Sequence, residues 1–236
     1  MIGQVPAICE SFHHGLIVSC QAREGEPFRD PASLAKFAIS AVAGGARAIR
    51  ANGPENVQAI RKTVSVPILG IWKEVQDDGK MLITPTFECA ADLIAAGADM
   101  IALDVTRRGQ GYEALNRVRR IRECLKVPVL ADIATLEEAE AAAAAGADFV
   151  LSTMRGYSED TLNIDCFDLP FVRELVRRSP VPVIAEGMID TPVKAREAMA
   201  AGVYAVVVGS AITRPVTIAR RFSDALESFD SGDHSA

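Results

Sequence analysis

Residues 127–151 read VPVLADIATLEEAEAAAAAGADFVL, and this one stretch contains both halves of a repeat. A Val-Pro lead-in opens an apolar run of strand length at 128–131, and an Ala-rich segment of helical period follows at Leu136–Ala145. Past Gly146 a second apolar run begins at 149–151. Working outward in both directions gives eight such runs, at 16–20, 46–50, 67–71, 100–103, 128–131, 149–151, 182–185 and 204–208. They are nearly continuous in Val, Ile, Leu and Ala instead of alternating with polar residues, which suits parallel strands covered on both faces.

The lead-ins alternate. From the third run onward the odd runs open through Val-Pro: Val66-Pro67, Val127-Pro128 and Val181-Pro182. The even runs follow Gly44-Gly45-Ala46, Ala96-Gly97-Ala98-Asp99, Ala145-Gly146-Ala147-Asp148 and Ala201-Gly202-Val203. A glycine after a helix takes the left-handed cap conformation, and a proline at a strand's first residue sacrifices no interior ladder bond. Eight βα units at this spacing predict a closed (β/α)8 barrel, the TIM barrel. The runner-up is a doubly wound open sheet, but it lacks its G-x-G-x-x-G after the first strand, where the chain reads Cys20-Gln21-Ala22-Arg23. One barrel domain is expected over residues 1–229, with a polar tail at 230–236. The Arg-rich run 117–122 reads as a wet helix face.

Composition narrows the partners. The 236 residues are 49% hydrophobic and carry a net charge of −6 from 31 acidic and 25 basic residues, with no Lys/Arg block to track a nucleic-acid backbone. Cys9, Cys20, Cys89, Cys124 and Cys166 are odd in number and show no metal-ligand spacing, which fits a reducing cytoplasm. Neither a signal peptide nor a bilayer-spanning run is read, so no membrane partner is expected.

In such a barrel the reacting groups come from the C-terminal ends of the strands. The first polar residues after the apolar runs are Gln21, Arg50 with Asn52, Lys73, Asp104, Asp132, Ser152 with Thr153, Glu186, and Gly209 with Ser210. Any one of them could be an ordinary loop residue, yet together they bring basic groups, carboxylates and an amide to one mouth. The last two loops, at Glu186-Gly187-Met188 and Gly209-Ser210, suit phosphate, because small residues let backbone N–H groups approach an anion. Arg214 beside them has no partner evident in the sequence. Lys73 and Glu186 end the third and seventh strands, four apart in a ring of eight, and so face a common centre as an acid/base pair. Neighbouring Arg50 and Arg214 would lower the lysine pKa, and desolvation would raise that of Glu186. The plainer alternative is a structural Lys73–Glu186 salt bridge.

At these residues the chain resembles the bacterial N-acylmannosamine-6-phosphate 2-epimerases, barrels of the ribulose-phosphate-binding kind. The resemblance runs from Gly15 to about Arg214. Its most specific parts are Ser19-Cys20-Gln21-Ala22 with Glu26-Pro27, and Ile49-Arg50-Ala51-Asn52-Gly53. Further matches are Ile83-Thr84-Pro85-Thr86, Ala102-Leu103-Asp104, Ala131-Asp132-Ile133, Ala185-Glu186-Gly187 and 209–215. It implies Lys73 and Glu186 as acid/base residues. Gln21, Arg50, Asp132 and Arg214 then hold the sugar phosphate, with Thr153 beside them, and Gly187, Gly209 and Ser210 hold its phosphate. The implied reaction converts N-acetylmannosamine 6-phosphate to N-acetylglucosamine 6-phosphate in sialic acid or amino-sugar breakdown, with no metal and no organic cofactor. Barrels of this type are commonly homodimers. The chain departs from the family at Glu74-Val75-Gln76, where a second basic residue and a Tyr are usual, and at Met188, where Arg or Lys is usual.

Three rivals share the scaffold. One is a Schiff-base aldolase using Lys73. Another is a thiamin-phosphate-synthase-like barrel, whose Mg²⁺ would need more than the isolated Asp104 and Asp132. The third is a silent phosphosugar-binding barrel, which would need only the phosphate grip.

Overall fold

The computed structural model describes residues 5–77, 79–108 and 110–230. Among the described residues ten strands form in chain order. They are β1 (Leu16–Cys20), β2 (Ala48–Asn52), β3 (Ile68–Ile71), β4 (Lys73–Val75), β5 (Met81–Ile83), β6 (Met100–Asp104), β7 (Val129–Asp132), β8 (Phe149–Leu151), β9 (Val183–Ala185) and β10 (Ala205–Val208). Eight of them close a parallel barrel in the ring order β1-β10-β9-β8-β7-β6-β3-β2, while β4 and β5 pair antiparallel outside it. The closed ring is the (β/α)8 architecture expected from the repeat.

The helices are α1 (Ala7–Glu10), α2 (Pro31–Ala43), α3 (Pro54–Arg61), α4 (Phe87–Ala95), α5 (Tyr112–Leu125), α6 (Leu136–Ala145), α7 (Leu169–Arg178), α8 (Pro192–Ala200), α9 (Ser210–Thr213) and α10 (Pro215–Asp230). Among the described residues no helix is long and apolar enough to cross a membrane. Asp230, expected to begin a tail, is the last residue of α10; positions 231–236 lie outside the described residues. In the run 117–122 of α5, Arg119, Arg120 and Arg122 are exposed as expected of a wet face, and Arg117 alone departs from it. It is buried, and its guanidinium donates to Gln110 Oε1 at 2.9 Å, because its position in the turn faces the barrel.

Both lead-ins have the cause expected of them. Gly45, Gly97, Gly146 and Gly202 all lie at left-handed φ, from 94° to 107°. The prolines, having no N–H to offer the ladder, contribute carbonyls: Pro67, Pro128 and Pro182 accept from the N–H groups of Ile49, Ile101 and Val150 at 3.0, 3.1 and 3.2 Å. The aspartates of the Ala-Gly-Ala-Asp repeats stitch neighbouring strands, with Asp99 Oδ2 accepting from Ile68 N at 2.7 Å and Asp148 Oδ2 from Val129 N at 2.9 Å.

Side chains alternate in and out along each strand with period two. The inner set includes Ile17, Ala48, Leu69, Ala102, Leu130 and Ile184; the outer set, such as Val18, Ile49, Ile101, Ala131 and Val206, packs on the helices. The floor of the barrel, at the N-terminal ends of its strands, is filled. Cys9 and Phe12 there are fully buried, and Phe12 stacks near Phe149 and Tyr204 with ring centroids 6.1 and 5.8 Å away. The open end is therefore the one at which the strands finish.

Candidate active site

Moving two residues further along the inward face of each strand leads from the apolar layer to the polar mouth. Ile17 gives Ser19, Ala48 gives Arg50, Ala102 gives Asp104, Leu130 gives Asp132 and Ile184 gives Glu186. The same step from Ile71 and Leu151 reaches Lys73 and Thr153, just beyond the ladder. Period-two alternation of a closed sheet thus collects the polar residues without any further device.

Arg50 is the centre of this cluster. Its guanidinium donates to Asp132 Oδ1 and Oδ2 at 3.0 and 2.7 Å, also donates to Glu186 Oε2, and lies 3.4 Å from Thr153 Oγ1. Thr153 Oγ1 lies 2.5 Å from Asp132 Oδ1 and 3.2 Å from Glu186 Oε2. Ser152 fixes the backbone of Glu186 from the other side, its hydroxyl donating to Glu186 O at 2.8 Å and accepting from Glu186 N at 3.1 Å. The side chains of Arg50 and Asp132 are 1% and 0% exposed, so the guanidinium expected to grip a sugar phosphate is committed to two carboxylates. Buried charges must be paired in this way, since an unpartnered one would carry the full desolvation penalty.

Lys73 opens the β4–β5 hairpin opposite Glu186, since β3 and β9 lie four apart in the ring. It makes no ion pair with Glu186; Arg50 takes that carboxylate. Burial first, then the Arg50 charge and more weakly Arg23, push the Lys73 ammonium down to about 8 against the pull of Glu186 and Asp132. Burial likewise pushes Glu186 above the usual carboxylate range, with Arg50 and Lys73 opposing and Asp132 adding to the rise. Asp104 stands in register with Asp132 and is fully buried, which raises it to about 6 although Thr106 donates to its Oδ1 through both N–H and hydroxyl. The Cys20 thiol is pushed up to about 12 by burial and is no nucleophile at neutral pH.

The other expected residues lie around the rim. The Gln21 amide donates to Ser19 Oγ at 2.5 Å. Gly187, at φ 106°, and Gly209, where a Cβ would stand 3.2 Å from Ser19 Cβ, keep the last two turns close to the barrel. Ser210 opens the short α9, which Thr213 Oγ1 ties to Ser19 O at 2.9 Å. Arg214 has a partner, contrary to expectation. Glu26 on the loop after β1 accepts from its Nε at 2.9 and 3.2 Å and from its Nη2, which holds the Glu26 carboxyl below the usual range. Sequence reasoning missed Glu26 in this role because 188 positions separate the two residues. Ser152 was visible as the neighbour of Thr153, but its grip on the Glu186 backbone was not.

Comparison with known proteins supplies the family. Residues 34–228 match the family described as "Putative N-acetylmannosamine-6-phosphate epimerase". A relative from Caldanaerobacter subterraneus subsp. tengcongensis, named "Putative N-acetylmannosamine-6-phosphate 2-epimerase", is 45% identical over 91% of this chain and 92% of its own. One of the same name from Cutibacterium acnes is 44% identical over 96% and 100%. The structure of the N-acetylmannosamine-6-phosphate 2-epimerase from Clostridium perfringens superposes with a TM-score of 0.87 at 36% identity, covering 95% of this chain and 99% of that one. Thiamine phosphate pyrophosphorylase from Pyrococcus furiosus, at 19% identity and a TM-score of 0.56, shares the fold alone.

Proposed function

This chain belongs to the N-acetylmannosamine-6-phosphate epimerase family, and from that premise we propose that its mouth epimerises N-acetylmannosamine 6-phosphate and N-acetylglucosamine 6-phosphate through Lys73. The protein is an isomerase acting on a sugar phosphate. Carbon 2 of the open-chain sugar adjoins the aldehyde, so loss of its proton gives an enolate, and return of a proton to the opposite face inverts the centre. The observation that carries this reading is the lysine itself. An ammonium lowered to about 8 is partly neutral at physiological pH and can take the C2 proton on its own side of the mouth in one direction and give it back in the reverse direction.

Arg50 is the anchor that keeps Glu186 in place across from Lys73, and Glu186, raised by burial, supports the second proton movement. The phosphate is assigned to the backbone of Gly187, Gly209 and Ser210 with Arg214 beside them; Gln21, Asp132 and Thr153 orient the sugar. We further place the reaction in amino-sugar breakdown in the cytoplasm, where five free thiols are at home. We also propose a homodimer, because α10 exposes Phe222 and Leu226 at 70% and 72% one turn apart.

The test is NMR detection of the epimer together with C2 deuterium exchange in heavy water. The parent protein is expected to do both, and Lys73→Ala neither. Undiminished exchange in that variant removes Lys73 from the chemistry. A borohydride-stable adduct on Lys73 would point to the aldolase instead.

A further inference from the structure

Lys73 lies beyond the barrel ladder, which ends at Ile71 on β3. A backbone N–H and a side-chain amide fix the peptide that joins it to Trp72. Its carbonyl, on Trp72, accepts from Thr84 N at 2.6 Å, and its N–H, on Lys73, donates to Asn52 Oδ1 at 2.8 Å. One residue earlier the Trp72 N–H donates to Thr84 Oγ1 at 3.1 Å, and that hydroxyl in turn donates to Ala102 O at 2.7 Å on β6. Thr84 is fully buried and sits at φ 51°, a left-handed conformation that favours glycine. It is β-branched and precedes Pro85, which makes that conformation still less favourable. Strain of this kind persists where the surroundings impose it, and it collects at functional sites. Glycine would relieve the backbone but could not bridge β3 to β6.

We propose that Thr84 and Asn52 are positioning residues that aim the Lys73 ammonium at the reacting carbon, and that the need for the Thr84 hydroxyl keeps a threonine at this left-handed position. The inference rests on the reading of Lys73 given above. The charges facing that ammonium come from four elements: Arg50 on β2, Asp132 on β7, Glu186 after β9 and Arg23 on the loop after β1. Turning the 72–73 peptide moves the ammonium relative to all four, so it changes both the aim and the proton affinity.

The experiment compares Thr84→Gly, Thr84→Ser and Asn52→Ala with the parent, following kcat, KM, the pH dependence of kcat and the thermal midpoint. Thr84→Gly is expected to lose about tenfold or more in kcat, since a misplacement near 1 Å can cost roughly a hundredfold. Its KM stays within about twofold, its pH profile shifts, and its midpoint does not fall in step. Thr84→Ser, which keeps the hydroxyl, restores kcat. Asn52→Ala repeats the loss and the pH shift from the other side of the peptide. Parent-like kcat and pH profile in Thr84→Gly would overturn the inference, as would a serine variant no better than the glycine one. So would losses that merely follow the midpoint. Lys73→Ala run alongside separates the two levels: exchange surviving there removes the reading of Lys73, whereas exchange lost there with Thr84→Gly unaffected removes the positioning role alone.

Discussion

Replacing Lys73 by Met should make the protein more stable while ending its chemistry. The pKa of Lys73 is lowered from the ordinary 10.5 to about 8, chiefly by burial and by Arg50. At about 1.4 kcal/mol per pKa unit, the charged lysine costs the folded state at most about 3 kcal/mol at neutral pH. Methionine has a similar length and no charge, so that cost disappears. Between about 8 and the ordinary value the unfolded chain holds a proton on this lysine that the folded chain does not, so folding releases it and stability rises with pH across that window. The advantage of Lys73→Met is therefore largest below about 8 and fades as the pH approaches 10.5. Urea unfolding of both proteins at pH 7 and pH 10 measures it. A variant that is less stable than the parent at pH 7, or a difference that ignores pH, would refute the account of Lys73 as a desolvated ammonium.

Two further substitutions test the rest of the mouth. Asp132→Asn removes one carboxylate from a fully buried guanidinium and should cost about 3–5 kcal/mol of stability, read from the urea midpoint; a loss under about 1 kcal/mol would mean that Arg50 finds other partners. Glu26→Gln weakens the grip on Arg214 and should raise KM for the sugar phosphate about fivefold, the equivalent of roughly 1 kcal/mol, with kcat little changed. An unaltered KM would separate Arg214 from the phosphate.

The barrel was legible because its signals are local. Val-Pro and Ala-Gly lead-ins act within a few residues of the strands they open, and strand ends fell within two residues of the expected runs, as at β2, read as 46–50 and found at Ala48–Asn52. The Arg50 cluster was half legible. Strand order put Lys73 and Glu186 on opposite sides, but the sequence could not reveal that Arg50 would take Glu186, since that pairing spans 136 positions. The β4–β5 hairpin escaped notice because its short strands, Lys73-Glu74-Val75 and Met81-Leu82-Ile83, follow neither the Val-Pro nor the Ala-Gly lead-in and the first mixes charged with apolar residues. Its register, Lys73 opposite Ile83, is continued by Trp72 and Thr84, which bond to each other through Thr84 N and Thr84 Oγ1.

Among the described residues the aromatic floor of Phe12, Phe149 and Tyr204 fills the N-terminal end of the barrel, which leaves the mouth at the strand ends as the way in. Sugar arrives and departs by the same path, so each turnover waits for the previous epimer to leave. The two epimers share every atom and differ in one orientation, which makes each a competitor of the other. The direction of traffic is then set outside the protein, by whichever epimer the surrounding metabolism keeps scarce.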